Sequence, residues 1–500
     1  MFDQLILGFS VALQPTNLLY GLIGAVVGTA VGVLPGLGTV ATMALLLPMT
    51  YHVEPVGAVI MIAGIFYGAQ YGGSTTAILL KIPGEESSIT TTLDGYQLAS
   101  QGRAGAALGM SAMASFIGGT LGVLGLCFAA PALSNFALRF GPPEYFALAL
   151  LGLMMIVYLS EGSTLKGAIM GGLGLAAATI GLDPVNGTER FTFNVLYLRD
   201  GLELVPVAMG LFGISEIMLN LERSENRDVL KQTIHKLLPS REDWQRAWAA
   251  IARGSLLGFF IGIIPGGGAT ISSFIAYGVE KRISKSPERF GKGAIEGVAG
   301  PEAANNAAST SSFIPLLTLG IPGNLATAMV LVALMIHGIR PGPMLMSEHP
   351  ELFWGTIASM YVGNLVLLCL NLPLIAVWVR LLHTPYHYLV LMIVVVCVIG
   401  AYSISSSAFS IGVMAFFGIV GYILRKADYP IAPFLLALIL GDMLESTLQQ
   451  TLVGEGGDFT IFLRRPIAAA ILLFGAMFML KPLLARFWLE PHKADRPEAT

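Results

Sequence analysis

The sequence predicts an all-α polytopic membrane protein made of two inverted-topology repeats, with re-entrant hairpins, broken helices and about 10–12 transmembrane segments. Three observations predict it. Of the 500 residues, 55% are hydrophobic and only 12% are charged, about half the charged fraction of an ordinary soluble chain; the mean hydropathy is +0.73. Apolar runs long enough to cross about 30 Å of hydrocarbon recur along the whole length. One signature occurs twice. Gly24, Gly28, Gly32, Pro35, Gly36 and Gly38 return as Gly254, Gly258, Gly262, Pro265, Gly266 and Gly268, all at one offset of 230 residues. A breaker at equal depth in two apolar segments marks a duplicated transporter and points to a site at the interruption.

The elements follow in order. The first repeat covers residues 1–220. A short amphipathic stretch over 2–13 precedes helices at 18–34 and 39–51, which flank Pro35-Gly36. Apolar segments at 55–80, 104–134, 144–159, 164–183 and 203–220 follow. A polar linker over 221–250 carries Arg223, Arg227, Lys231, Lys236, Arg241 and Arg246. The second repeat covers 251–452. Helices at 251–264 and 269–279 flank Pro265-Gly266, and segments follow at 307–338, 352–378, 386–402, 406–424 and 431–448. Residues 453–500 add a further transmembrane helix at 466–483 and a charged tail.

Further landmarks repeat. Ser74-Thr75-Thr76 leads into Ile82-Pro83-Gly84, and Ser309-Thr310-Ser311 leads into Ile321-Pro322-Gly323. Pro142-Pro143 and Thr384-Pro385 each open a helix. Pro206 and Pro433 start helices that end near Glu216 and Glu445. The shared order argues for internal duplication.

Charge sets the expected topology, because basic residues stay cytoplasmic. Arg246 and Arg253 precede the second signature, and Lys281, Arg282, Lys285, Arg289 and Lys292 follow it. Both of its ends are therefore expected inside. Its arms of ~14 and ~11 residues are too short for two spans, so it is read as a hairpin that enters and returns. No Lys or Arg precedes Lys81, so both ends of the first signature, and the N-terminus, are expected outside. Five further spans make the second repeat inverted and put the tail inside. Arg464-Arg465 falls on the wrong side of this count. The N-terminus lacks a basic n-region and a small-residue cleavage site, so no cleavable signal peptide is expected.

Backbone that is not helical at membrane depth survives only where it lines a cavity or is buried in protein. The breaks at Pro35-Gly36, Pro83-Gly84, Pro265-Gly266 and Pro322-Gly323 therefore predict a polar cavity. Helix N-termini after such breaks suit carboxylates, and freed carbonyls before them suit a cation. The first-choice substrate contacts are Asn305, Asn306, Ser309 and Thr310 in the run Gly300-Pro-Glu-Ala-Ala-Asn-Asn-Ala-Ala-Ser-Thr310, then Ser74, Thr75, Pro83, Gly84, Ser87, Ser88, Pro322, Gly323 and Lys81. Two adjacent Asn side chains are costly in hydrocarbon unless something uses them. The coupling ion is assigned to the tips: Pro35, Gly36, Gly38, Thr39, Thr42, Pro265, Gly266, Gly268, Thr270 and Ser272. Each hydroxyl has an alternative role, since Ser and Thr also bond back to their own helix carbonyls. Glu302 reads equally well as a loop residue, Lys81 as a lysine reaching for the interface, and Asp94 and Arg103 as parts of an ordered loop.

Other classes have little support. Cys127, Cys369 and Cys397 are scattered without metal-ligand spacing. No HExxH, P-loop or GxSxG motif occurs, and no apolar segment holds a nucleophile beside a base, so an intramembrane enzyme is a remote alternative. A net charge of −3 gives no sign of nucleic-acid binding. No cofactor is expected beyond a coupling cation, Na⁺ or H⁺.

The motifs together resemble the TctA family, the large permease subunit of tripartite tricarboxylate transporters. They are Gly32-Val-Leu-Pro-Gly-Leu-Gly38, Tyr67-Gly-Ala-Gln-Tyr-Gly-Gly-Ser-Thr-Thr76, Ile82-Pro-Gly-Glu85 with Ser87-Ser88, Leu93-Asp-Gly-Tyr96, Gly262-Ile-Ile-Pro-Gly-Gly-Gly268, Gly300-Pro-Glu-Ala-Ala-Asn-Asn306 and Gly320-Ile-Pro-Gly323. They span roughly residues 20–450. Lys81 departs from the small polar residue expected there, and Ser446-Thr-Leu-Gln-Gln450 from a more basic stretch. The resemblance implies a bacterial inner-membrane subunit with two partners: a small four-helix membrane subunit (TctB-like) and a periplasmic solute-binding protein (TctC-like). It also implies uptake of citrate-like carboxylates driven by a cation gradient. A stand-alone organic-anion exchanger is the alternative.

Overall fold

The computed structural model describes residues 2–34, 38–159, 163–183, 186–222, 236–382 and 386–489. Pro35 and Gly36, residues 223–235 of the basic linker, Thr384-Pro385 and the charged tail lie outside the described residues. Nearly all the rest is helix. Among the described residues, nine helical stretches are long and apolar enough to cross a membrane. The one sheet is a two-residue antiparallel pair, β1 (Gly181–Leu182) with β2 (Glu189–Arg190). The chain is an all-α polytopic membrane protein.

It divides into two compact units, each drawn from both halves of the sequence. The first comprises Met1–Leu138 and Glu203–Ala427. Its early helices are α1 (Phe2–Ala12), α2 (Pro15–Val33), α3 (Thr39–Thr50), α4 (Pro55–Leu80), α5 (Ile89–Leu98) and α6 (Ala104–Ala137). After residue 203 come α9 (Leu204–Ala208), α10 (Ser215–Glu222), α11 (Arg241–Ile263), α12 (Gly268–Ile283), α13 (Glu296–Ser311), α14 (Phe313–Leu319), α15 (Leu325–Ile336), α16 (Leu345–Glu348), α17 (Pro350–Asn371), α18 (Ile375–Leu381), α19 (Tyr386–Ser405) and α20 (Ala408–Lys426). A π-helical turn over Met209–Ile214 joins α9 to α10.

The second unit comprises Arg139–Leu202 and Asp428–Thr500. It holds α7 (Pro142–Leu159), α8 (Thr164–Ala178), the β pair, α21 (Ala432–Gly454), α22 (Ile461–Arg464) and α23 (Pro466–Leu489). Helix α21 packs on α7 through Ala149, Leu153, Val157, Ala437 and Leu444. Glu445 on α21 takes a two-pronged contact from Arg190 on β2. The out-of-place basic pair is neutralised within this unit. Arg465 lies 3.6 Å from Glu144, and Arg464 lies 3.2 Å from Asp458.

Local chemistry sets many boundaries. Proline opens α2, α4 and α17, where its missing N–H costs nothing. Two departures from the sequence reading bear on the site. Helix α11 begins at Arg241, ten residues earlier than expected, because Ser240 and Asp243 form a reciprocal capping box. The arm therefore has 23 residues, long enough to cross the hydrocarbon core. The expected segment at 307–338 is divided: α13, α14 and α15 are separated by a turn at Ser312 and by the Ile321-Pro322-Gly323 break.

The repeated glycines have a packing role. A Cβ on Gly24, Gly28 or Gly32 would fall 2.2–2.4 Å from the carbonyl oxygens of Met61, Ile65 and Ala69 on α4. A Cβ on Gly254, Gly258 or Gly262 would fall 2.1–2.3 Å from those of Gly300, Ala304 and Ala308 on α13. In each repeat the first hairpin arm lies backbone-to-backbone on the next long helix, an approach only small residues permit. The partner positions, Met61 and Gly300, are offset by 239 residues, as are Pro83-Gly84 and Pro322-Gly323. In that register Ser309-Thr310-Ser311 answers Gln70-Tyr71-Gly72 rather than Ser74-Thr75-Thr76.

Candidate functional site

The site lies in the first unit, where both helix breaks meet the glycine arms of their own repeats. In the first repeat Gly84 sits so close to α2 that a Cβ would fall 1.9 Å from the Gly32 carbonyl oxygen. Thr76 on α4 donates to the Val33 carbonyl at 2.9 Å, satisfying an oxygen that the end of α2 leaves free. Thr39, the first residue of α3, donates to Glu85 just beyond the Pro83-Gly84 break. In the second repeat the Gly266 N–H donates to the Gly323 carbonyl at 2.7 Å. Gly266 has φ 79° and Gly268 φ 48°, so the tip needs glycine at both positions. Asn324, next after the break, caps α15 by accepting from the Thr327 N–H at 2.9 Å.

Helix α13 runs through this region almost entirely buried, although it carries Glu302, Asn305, Asn306, Ser309 and Thr310. Asn306 Nδ2 donates to Asn305 Oδ1 at 2.6 Å and to the Glu302 carbonyl at 3.0 Å. Asn305 Nδ2 is buried with no hydrogen-bond partner. Such an orphan donor in a native core calls for a use. Glu302 is fully buried. Ser74 on α4 donates to both its carboxylate oxygens at 2.8 Å. Thr91 on α5 donates to Oε1, and Ser115 on α6 donates to Oε2 at 3.1 Å. One carboxylate thus gathers hydroxyls from three helices.

The predicted residues separate by what their side chains touch. Ser74, with buried Thr75 beside it, and Asn305 and Asn306 belong to the Glu302 cluster. Ser87 donates to buried Gln70, and Ser88 closes a reciprocal cap with Glu85. Several other hydroxyls bond back to their own helices. Thr42 and Ser272 donate to the Gly38 and Gly268 carbonyls at 3.2 and 2.8 Å, and Ser309 and Thr310 to those of Asn305 and Ala307 at 2.8 and 2.9 Å. Thr270 follows Gly268 in the first turn of α12, with Pro265 at the tip before it. Lys81 lies apart: it is exposed, and its ammonium sits 5.7 Å from the centre of the Tyr96 ring.

Three important residues were weighted too low or missed in the sequence. Glu302 was also readable as a loop residue. Pro301 is in fact carried inside α13. The signal was present in the spacing, since Glu302, Asn305 and Asn306 share one helix face at i, i+3 and i+4. Ser115 gave no signal, because a serine in an apolar helix is ordinary. Thr91 was one of several adjacent hydroxyls with nothing to single it out.

The surrounding charges hold the scaffold. Asp94 Oδ1 accepts from the backbone N–H groups of Gly291, Gly293 and Ala294 at 2.8–2.9 Å. Its other oxygen accepts from Tyr277 at 3.0 Å. Asp94 thereby fixes the loop that leads into α13. Arg103 pairs with Asp243 at 2.6 Å, and Arg253 grips Glu280 with two contacts of 2.7 and 2.8 Å across the second hairpin. Asp94 lies within α5 and Arg103 in the π-helical turn Ala99–Arg103 that follows it, so neither is the loop residue the sequence suggested; their partners hold helices together instead. The arrangement offers hydroxyl, amide and helix N-terminal donors beside interrupted backbone, which suits recognition of an oxyanion.

Comparisons with known proteins agree with this geometry. The family model described as "Tripartite tricarboxylate transporter TctA family" matches residues 18–436. An Agrobacterium vitis protein described as an uncharacterized 52.8 kDa protein in the TAR-I ttuC' 3' region is 48% identical over 484 residues, covering 97% of this chain and 96% of that protein. A second protein of that organism, described by the TAR-II ttuC' 3' region, is 48% identical over 227 residues, which cover 45% of this chain and 94% of the relative. No solved structure matches the chain. The match across both glycine arms, both breaks and the buried α13 means that this chain belongs to the TctA family of tripartite tricarboxylate transporters.

Proposed function

We propose that this chain is the permease of a binding-protein-dependent secondary transporter that imports di- and tricarboxylates by alternating access, driven by a Na⁺ or H⁺ gradient. It works in a bacterial inner membrane, with its N-terminus periplasmic and its C-terminus cytoplasmic. Its partners are a small four-helix membrane subunit and a periplasmic solute-binding protein that delivers the acid. The observation that carries the reading is the pair of breaks, each packed on the glycine arm of its own repeat, beside a buried α13 with an unpartnered Asn305 amide. An anionic substrate would take its hydrogen bonds from Asn305, whose amide Asn306 holds in place, and from the helix N-termini at α3 and α15.

The test is uptake of radiolabelled citrate and succinate into vesicles holding the complete transporter. Wild type should accumulate one of them only when the binding protein is present. The Asn305→Ala/Asn306→Ala variant should insert normally and lose uptake. Unchanged uptake kinetics in that variant would remove the site assignment. Accumulation without the binding protein would favour the stand-alone exchanger.

A further inference from the structure

We propose that Glu302 is the proton carrier of this transporter, binding and releasing one proton per cycle, so that the coupling ion is H⁺. The proposal rests on the transport reading above and names the ion and the residue that reading leaves open.

Glu302 differs from the other buried acids around it. Asp243 has Arg103, Glu280 has Arg253, and Asp94 has three backbone N–H groups and Tyr277. Glu302 is fully buried, and its side-chain neighbours are all neutral: the hydroxyls of Ser74, Thr91 and Ser115 at hydrogen-bond distance, and the Asn305 amide beside them. None of the ion pairs among the described residues includes it. A lone carboxylate buried in a membrane protein is costly while charged, and such residues mark ion and proton pathways.

The partners are suited to both protonation states. A hydroxyl donates one hydrogen bond and also accepts. Three hydroxyls can donate to the carboxylate. When a proton from water bonds to one carboxylate oxygen, one hydroxyl turns and accepts the new O–H. The reverse step returns that proton to water on the other side. Ser74 can make this turn, because its own O–H then goes to the Gln70 carbonyl 3.2 Å away. A sodium ion fits this arrangement poorly. Ser74 Oγ stands 2.8 Å from both carboxylate oxygens, a direct hydrogen-bond contact with no room for a cation between.

The donors also tie protonation to movement. Ser74, Thr91 and Ser115 belong to the first repeat and Glu302 to the second. Any shift of α13 against α4, α5 and α6 changes the number of donors facing the carboxylate, and with it the proton affinity. The unpartnered Asn305 amide lies one turn along α13, where a substrate held there would sit beside the carrier. The other ionisable groups on the packed helices are engaged elsewhere: Tyr71 donates to Asn364, Glu85 accepts from Thr39, and Glu296 pairs with Arg289.

Two measurements decide the proposal. Infrared difference spectra of the purified full chain, taken across a pH titration, should show the carbonyl stretch of a protonated carboxyl that appears as pH falls. Glu302→Gln should lack that band, and Thr91→Val and Ser115→Ala should move its pH midpoint. Those two variants keep the test alive if Glu302→Gln does not fold. A titrating band that survives in a folded Glu302→Gln protein, or midpoints unmoved in both hydroxyl variants, would overturn the assignment. In vesicles of the complete transporter, an inward gradient of about one pH unit should drive up to about tenfold accumulation of citrate or succinate. A protonophore should abolish it, and Glu302→Gln should lose it. Accumulation driven by a Na⁺ gradient alone would overturn H⁺ as the coupling ion. Failure of wild type to move any carboxylate would instead defeat the transport reading, while the infrared band still decides whether Glu302 exchanges a proton.

Discussion

Lys81 and Gly320 occupy the same step of the two helix breaks in the same left-handed backbone state, with φ 61° and 73°. Each ends its helix immediately before an Ile-Pro-Gly turn, and the two stand 239 residues apart. Glycine adopts this state freely, whereas a side chain pays about 1–2 kcal/mol for it. This explains why a long basic residue stood out in the sequence at that point: the position selects for backbone freedom.

Lys81→Gly should therefore be at least as stable as wild type and retain uptake, because the ammonium points to Tyr96 and away from the Glu302 cluster. Lys81→Ala keeps the strained backbone without the ring contact and should be less stable than Lys81→Gly by about 1 kcal/mol. Melting in detergent ranks the three proteins. Loss of uptake by a fully stable Lys81→Gly protein would restore the ammonium as a substrate contact.

The glycine arms predict a second contrast. Gly28→Ala and Gly258→Ala each place a methyl within 2.3 Å of a backbone oxygen on the facing helix. Each should cost about 1–3 kcal/mol or more, because backbone cannot move aside as a side chain can. Gly278→Ala, also in a helix but with nothing within 4 Å of its new methyl, should gain about 0.5–1 kcal/mol from helix propensity. Thermal unfolding of the three variants measures this difference directly.

The clamp across the second hairpin is open to a double substitution. Arg253→Leu leaves Glu280, whose side chain is 4% exposed, without its cation. The loss should be about 2–3 kcal/mol, below that of a fully buried pair because the Arg253 side chain is 44% exposed. Arg253→Leu/Glu280→Leu should recover most of it, since no buried charge remains. A double variant no more stable than the single one would show that packing, not charge, holds the hairpin base.

The proposed inverted topology predicts opposed labelling. In a background lacking Cys127, Cys369 and Cys397, cysteines at exposed positions His52 and Lys285 should react with an impermeant maleimide from opposite sides of sealed vesicles. Labelling from one side only would refute the inverted topology.

Composition alone determined the class of this protein. A chain so poor in charge and so rich in long apolar runs can bury its backbone in lipid only as helices, and that constraint is local. The recurring signature was also legible, because glycine and proline are irreplaceable where backbones touch or turn, so it shows at the level of residue type. Tertiary structure decided the register of the two halves, the real length of α11 and the ranking among many similar hydroxyls. Ser309 and Ser74 look alike in sequence. One bonds back to its own helix, and the other crosses from α4 to Glu302. That choice depends on which helices meet, and helices more than 200 residues apart in sequence meet only when the chain is folded. Glu302 is the clearest case: its neighbours in sequence are small and apolar, and every hydroxyl that gives it meaning comes from the other repeat.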